Sequence, residues 1–174
     1  MLFEKVYIEG LGYHLPEDIV TSAEIEKRLA PLYERLKLPQ GRLELMSGIK
    51  ERRFWDKGIV PSEVATIAGE KAIARAGINK DNIGCLISAS VCRDFIEPST
   101  ASIIHRNLKI PSEAFVFDVS NACLGVLNGM MIIANMIDQN QILAGLVVAG
   151  ENGGPLLNNT IETLLSRPDI TRSN

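Results

Sequence analysis

Three short apolar runs, at 83–91, 114–119 and 142–149, are continuous rather than alternating. A strand with one wet face alternates polar and apolar side chains, whereas a continuous run belongs to a strand covered on both faces. Between the last two runs lies Leu124 to Gln139, apolar and of helical length, so strand, helix and strand follow in close order. That order predicts a parallel crossover in a layered α/β architecture.

The remaining segments supply further elements. Residues 3–10, Phe-Glu-Lys-Val-Tyr-Ile-Glu-Gly, mix β-branched and aromatic residues and predict a first strand, closed by the turn Leu15-Pro16-Glu17-Asp18. From Ser22, read as an N-cap, the positions Ala23, Ile25, Leu29 and Leu32 recur at helical spacing until Pro39-Gln40-Gly41. A second helix is predicted from Ser62 to about Ala76, with Glu63 in its first turn and Gly77 as its C-cap. No Ser/Gly linker or low-complexity tract divides the chain, so one domain is expected. Gly10-Leu-Gly12 and Gly150-Glu-Asn-Gly-Gly lack the rest of a dinucleotide fingerprint and read as turns.

Composition narrows the function classes. With 46% hydrophobic and 22% charged residues over 174, the chain can bury a sizeable core. Its formal net charge of -3 leaves no basic excess for a nucleic-acid backbone. Glu4, Lys5 and Glu9 interrupt any signal-peptide core, and Asp138 cuts off the longest apolar stretch, around 130–136, far short of a membrane span. A cytoplasmic protein is expected. Cys85, Cys92 and Cys123 are odd in number and without CxxC spacing, which points to free thiols rather than disulfides or a structural metal site.

Cys123 follows a predicted buried strand and opens a predicted helix, in Phe117-Asp-Val-Ser-Asn-Ala-Cys-Leu-Gly125. Unpaired N–H groups and the dipole at a helix start favour a thiolate, the nucleophilic form of cysteine. Ala122 and Gly125 leave room for an acyl thioester to approach. Two readings stay open on the residues alone: a small buried hydrophobe, or a nucleophile at the carboxyl end of a parallel strand. Cys85 lies within a predicted strand and reads as core; Cys92 follows the strand end beside Arg93 and Asp94.

The run Asp118-Val-Ser-Asn-Ala-Cys123-Leu-Gly, with Gly48-Ile-Lys-Glu-Arg-Arg53 and Pro98-Ser-Thr-Ala-Ser102, resembles the ketoacyl-acyl-carrier-protein synthase III branch of the thiolase superfamily. Met1-Leu-Phe, Ser90-Val-Cys-Arg-Asp-Phe-Ile-Glu97-Pro-Ser-Thr-Ala-Ser-Ile and Phe117 to Leu124 are similar to the olefin-biosynthesis condensing enzymes within that branch. The resemblance implies the N-terminal half of a duplicated, five-layer α/β fold, with 1–174 as the domain carrying the nucleophile, usually assembled as a homodimer. It implies that Cys123 accepts an acyl group from acyl-CoA or an acyl carrier protein, with no cofactor and no metal, ahead of a Claisen condensation. Glu97 occupies the position of a glutamate that reaches the partner subunit's active site as the base; by itself it reads more readily as a solvated loop glutamate before a proline. Arg42 and Met46 stand where the branch usually places an aromatic and a basic residue for CoA; Lys50, Arg52 and Arg53 offer charge for its phosphates, although a basic cluster beside Glu51 is more often a solvated face.

The branch draws a catalytic histidine and asparagine from its second half. His14 and His105 match neither position, so a second chain or a continuation beyond Asn174 is expected to supply them. The competing reading is a non-catalytic thiolase-fold subunit that dimerises with an active partner or binds an acyl carrier.

Overall fold

The computed structural model describes residues 3–171; Met1 and Leu2 of the opening motif and Arg172 to Asn174 of the final stretch lie outside the described residues. In chain order the elements are β1 (Asp18–Thr21), α1 (Ser22–Arg28), α2 (Ala30–Arg35), α3 (Arg42–Ser47), β2 (Glu51–Phe54), α4 (Pro61–Ala76), β3 (Ile83–Ser88), α5 (Thr100–Leu108), β4 (Phe115–Asp118), α6 (Gly125–Asp138), β5 (Ala144–Val148) and α7 (Gly154–Ser166). Short 3-10 turns occupy Lys80–Asn82 and Ala122–Leu124. Two compact units result, one from the residues up to His14 with Gly58–Glu151, the other from Leu15–Lys57 with the residues from Asn152 onward.

In the first unit the three continuous apolar runs become a parallel sheet ordered β4-β3-β5. Both faces of β3 are covered. Leu86 packs with Ala65 and Ile73 of α4 and Ala101, Ile104 and Leu108 of α5, while Cys85 and Ile87 turn to Ile133 of α6. Side chains on a strand alternate, so Ile83 ought to share the face of Cys85. A register shift between Ile83 and Cys85 returns it instead to the side of Leu86. Each fully buried aliphatic side chain contributes about 1.5–3 kcal/mol, and β3 alone sets three of them between the two helix layers.

The helices follow from their own residues. In α4, Pro61 sits in the first turn and Gly77 closes the helix at φ 64, as the sequence suggests. Small residues let α6 approach the sheet closely, because a Cβ on Gly129 would stand 2.9 Å from a Val147 methyl.

The expected first strand does not form: residues 3–17 contain neither strand nor helix. Gly10 and Gly12 press their backbone onto α4, where an added Cβ would meet the Ala72 and Ala68 carbonyls at 2.6 and 2.1 Å. Arg75 and Lys71 reach from α4 to the Leu11 and Tyr13 carbonyls, at 2.7 and 3.2 Å. The segment is docked on a helix, and among the described residues no ladder partner makes it a strand.

In the second unit β1 pairs antiparallel with β2, Asp18 opposite Phe54 and Thr21 opposite Glu51. The single helix expected from Ser22 splits at Leu29, which ends α1 and starts α2, with Pro31 in the new first turn. Thr21, not Ser22, is the N-cap, in a reciprocal capping box with Glu24, while Ser22 Oγ donates to the Ile49 carbonyl. Helix α7 lies in a stretch that gave no helical expectation, and Arg28 and Arg35 tie it to α1 and α2 by donating to Asn158 Oδ1 and the Arg167 carbonyl.

Glu26 is buried in this unit, and its carboxylate accepts from the Gly41 N–H at 2.6 Å, the Leu43 N–H at 2.5 Å and the Tyr33 hydroxyl at 3.1 Å. Burial pushes its pKa up, but the Leu43, Gly41 and Tyr33 donors together outweigh it and hold the carboxyl below the usual glutamate range. A depressed folded-state pKa adds stability that is present above the unfolded value, about 4.3, and lost as pH falls through the lower folded value. Glu26→Gln is expected to cost about 1–2 kcal/mol at pH 7, with the gap closing below about pH 4. Urea midpoints of both chains from pH 7 to pH 3 check it; a gap independent of pH contradicts the role of the charge.

Candidate active site

The three parallel strands deliver three loops to one edge of the sheet, where ligands gather in such folds. From β3 the chain runs through Ala89 to Ser99 and includes Glu97; from β4 it passes through Val119 to Leu124 and includes Cys123; from β5 it reaches Gly150 and Glu151. The sequence puts Cys123 between a strand and the start of a helix running from Leu124. Cys123 stands in the 3-10 turn that precedes α6, two residues before Gly125.

That turn is tightly determined. Val119 N–H donates to the Ser88 carbonyl at 2.8 Å, Leu124 N–H to the Asn121 carbonyl at 2.9 Å, and the Asn121 amide to Asn128 Oδ1 at 2.6 Å. Ala122 carries φ 43, a left-handed conformation that costs a non-glycine residue about 1 kcal/mol or more. Immediately after it, Cys123 is exposed. Leu124, Leu127 and Met131, which follow it in the chain, also expose apolar side chains.

Cys85 is the opposite case. It is buried in β3, and burial pushes its thiol up to about 11, which makes it an inert core residue as expected. Cys92 is half-buried, and its N–H donates to Glu151 Oε2 at 3.1 Å.

Glu97 is exposed on its loop, next to Ile96 and Phe95, which expose 87% and 61% of their surfaces, and a cis peptide joins it to Pro98. Three acids hold the two ends of this loop. Glu151 accepts from the Val91 and Cys92 N–H groups, at 2.7 and 3.1 Å. Asp94 accepts from Ser62 N–H in the first turn of α4, at 2.9 Å. Asp118, the last residue of β4, accepts from the first two N–H groups of α5, Thr100 at 3.1 Å and Ala101 at 2.8 Å. The sequence identified Glu97 but not these three, because each acts on residues far away in the chain; only the position of Asp118 at a strand end, within the cysteine motif, hinted at a role. Asp118→Ala leaves two partly buried donors without a carboxylate and is expected to cost about 1–3 kcal/mol. Faster amide exchange at Thr100 and Ala101 checks it, and unchanged exchange contradicts it.

Lys50, Arg52 and Arg53 lie in the other unit. Consecutive strand residues face opposite ways, so Arg52 and Arg53 of β2 do not form one cluster. Arg52 donates to Ser22 Oγ at 2.8 Å and Arg53 to the Pro16 carbonyl at 2.9 Å, while Lys50 is exposed just ahead of the strand. His105 caps the turn before β4, with Nε2 2.9 Å from the Pro111 carbonyl, and His14 is half-buried in the opening segment.

An exposed cysteine on a strained strand-to-helix turn of a parallel α/β sheet defines a candidate nucleophile of the covalent, thioester-forming class. No protein-family model matches the chain. Two acyl-CoA:acyl-CoA alkyltransferases do resemble it: that of Shewanella oneidensis is 43% identical over 170 residues, covering 98% of this chain and 49% of the relative, and that of Xanthomonas campestris is 43% identical over 171 residues, covering 98% and 50%. A β-ketoacyl-[acyl-carrier-protein] synthase III of Koribacter versatilis is 30% identical over 156 residues, covering 90% and 44%. Among solved structures, a Xanthomonas campestris OleA variant with cerulenin superposes at a TM-score of 0.93 with 43% identity, covering 99% of this chain and 52% of that one. The chain shares the thiolase fold of these condensing enzymes over nearly its whole length, and it spans about half the length of the curated relatives it matches.

Proposed function

We propose that this chain is the acyl-accepting, N-terminal domain of a β-ketoacyl thioester synthase. The Cys123 thiolate attacks the carbonyl carbon of an acyl thioester, the C–S bond to CoA or to a carrier protein breaks, and the acyl group stays on Cys123 as a new thioester. Glu97 of the partner subunit removes an α-proton from a second acyl thioester. The resulting carbanion attacks the acyl-cysteine, the Cys123 thiolate leaves, and a β-ketoacyl thioester is formed. With Glu97 as base, no malonyl donor has to lose carbon dioxide. Splitting the condensation into transfer and attack replaces one difficult step with two easier ones.

The observation that carries this reading is the exposed Cys123 on its strained turn, in a chain 43% identical over nearly its whole length to acyl-CoA:acyl-CoA alkyltransferases. The second half of the fold supplies the groups that stabilise the thioester and enolate oxygens, as a continuation or a separate chain. Lys50, Arg52 and Arg53 are proposed to meet CoA phosphates singly rather than as one cluster, and the enzyme works as a homodimer in the cytoplasm with no metal.

Incubation with a long-chain acyl-CoA is expected to add the mass of one acyl group, which proteolysis then maps to the peptide holding Cys123. Cys123→Ala is expected to remove it. An adduct that persists in this variant, or none on the wild-type chain joined to its second half, overturns the reading in favour of a non-catalytic subunit.

A further inference from the structure

Asn128 ends the first turn of α6 and is half-buried, and its Oδ1 accepts from the Asn121 side-chain amide at 2.6 Å. We propose that Asn128 is a positioning residue for Cys123: it holds Asn121 so that the turn keeps the left-handed Ala122 from which the sulfur is presented.

A non-glycine residue at φ 43 relaxes to an ordinary conformation unless its surroundings over-determine it. Upstream, the Val119 N–H donates to the Ser88 carbonyl at 2.8 Å, which ties the chain to β3 before the turn begins. Downstream, α6 is set hard against the sheet. A Cβ on Gly125 would lie 2.8 Å from the Ala89 carbonyl oxygen, and one on Gly129 would lie 2.9 Å from a Val147 methyl. Asn128 falls between these two glycines in the helix and is carried on a rigid element, where a side chain can hold a neighbour in one geometry. The Leu124 N–H bond to the Asn121 carbonyl closes the turn on itself and moves with it. The bond from Asn121 to Asn128 joins the turn to the helix, one residue before Ala122 and two before Cys123. Because Asn121 is exposed, this neutral hydrogen bond adds little to global stability. Its effect falls on local geometry, where a displacement near 1 Å costs an attacking group about a hundredfold in rate. The inference rests on the reading of Cys123 as the acyl acceptor and adds to it the residue that aims the sulfur.

The test uses the chain joined to its second half, loaded in single turnover with a long-chain acyl-CoA and followed by mass spectrometry. Asn128→Ala is expected to slow loading of Cys123 about tenfold at saturation, with the half-saturating acyl-CoA concentration and the melting temperature unchanged. Iodoacetamide is small and needs no alignment by the protein, so its alkylation of Cys123 should stay within about twofold of wild type. Asn121→Ala should also slow loading, and the double variant should be no slower than the slower single, as two residues acting through one bond require. Loading by Asn128→Ala at the wild-type rate, losses that multiply in the double variant, or an equal fall in alkylation overturns the inference and leaves Cys123 as the acceptor. Absence of loading in the wild-type protein overturns the acceptor reading itself, and this inference with it.

Discussion

Gly125→Val is expected to reduce the rate of acyl transfer to Cys123 by about a hundredfold and to destabilise the chain by about 1–3 kcal/mol. A Cβ at position 125 would lie 2.8 Å from the Ala89 carbonyl oxygen and 3.6 Å from that of Val119, and both are backbone atoms at strand ends. Neither can swing aside as a side chain would, so the first turn of α6 must lift from the sheet. Cys123 sits two residues earlier, in the 3-10 turn that leads into α6, and moves with it, and a displacement near 1 Å is enough to spoil attack. Gly125→Ala should show a smaller version of both effects. Leu127→Ala, on the same helix but 55% exposed, should leave stability within about 0.5 kcal/mol. Acyl-CoA loading followed by mass spectrometry, together with thermal unfolding, measures each; wild-type loading by Gly125→Val contradicts the proposed rigidity of the turn.

Leu86→Ala is expected to cost about 2–5 kcal/mol, a large part of the total stability of an ordinary domain. Leu86 is fully buried at the centre of β3 and packs against helices α4 and α5 and strand β5 at once. The sheet holds its neighbours from both edges, so the void cannot collapse cheaply. Ile96→Ala, at 87% exposure on the Glu97 loop, should change stability by less than about 0.5 kcal/mol. Denaturant titration of the two variants gives the contrast; a small loss in Leu86→Ala would mean that this layer is not the core.

The parts of the fold that could be read from sequence are those whose partners lie nearby or whose burial is complete. The three parallel strands and α6 appear within a few residues of their apolar runs, and Gly77 closes α4 where expected. The first strand failed for the complementary reason: its composition suits a sheet, but a strand exists only where another backbone pairs with it. The helix from Ser22 broke because Pro31 begins a new turn, a local effect hidden by the continuing apolar spacing. Helix α7 was missed because Gly150 to Pro155 reads as a turn, while its stripe of Leu157, Ile161 and Leu164 is short, with Ile161 buried and the two leucines only partly so. At the site, the placement of Cys123 between strand and helix was legible. The grip of Glu151, Asp94 and Asp118 on the Glu97 loop was not, because it joins residues up to 60 positions apart.

Asp118 also makes a mechanical link. It is the last residue of β4, five before Cys123, and its carboxylate clasps the start of α5, three residues after Glu97. The loop that carries Cys123 and the loop that carries Glu97 are thus tied to one side chain. Removing that one carboxylate therefore loosens the seating of both loops together, where a change within either loop alone would disturb only one.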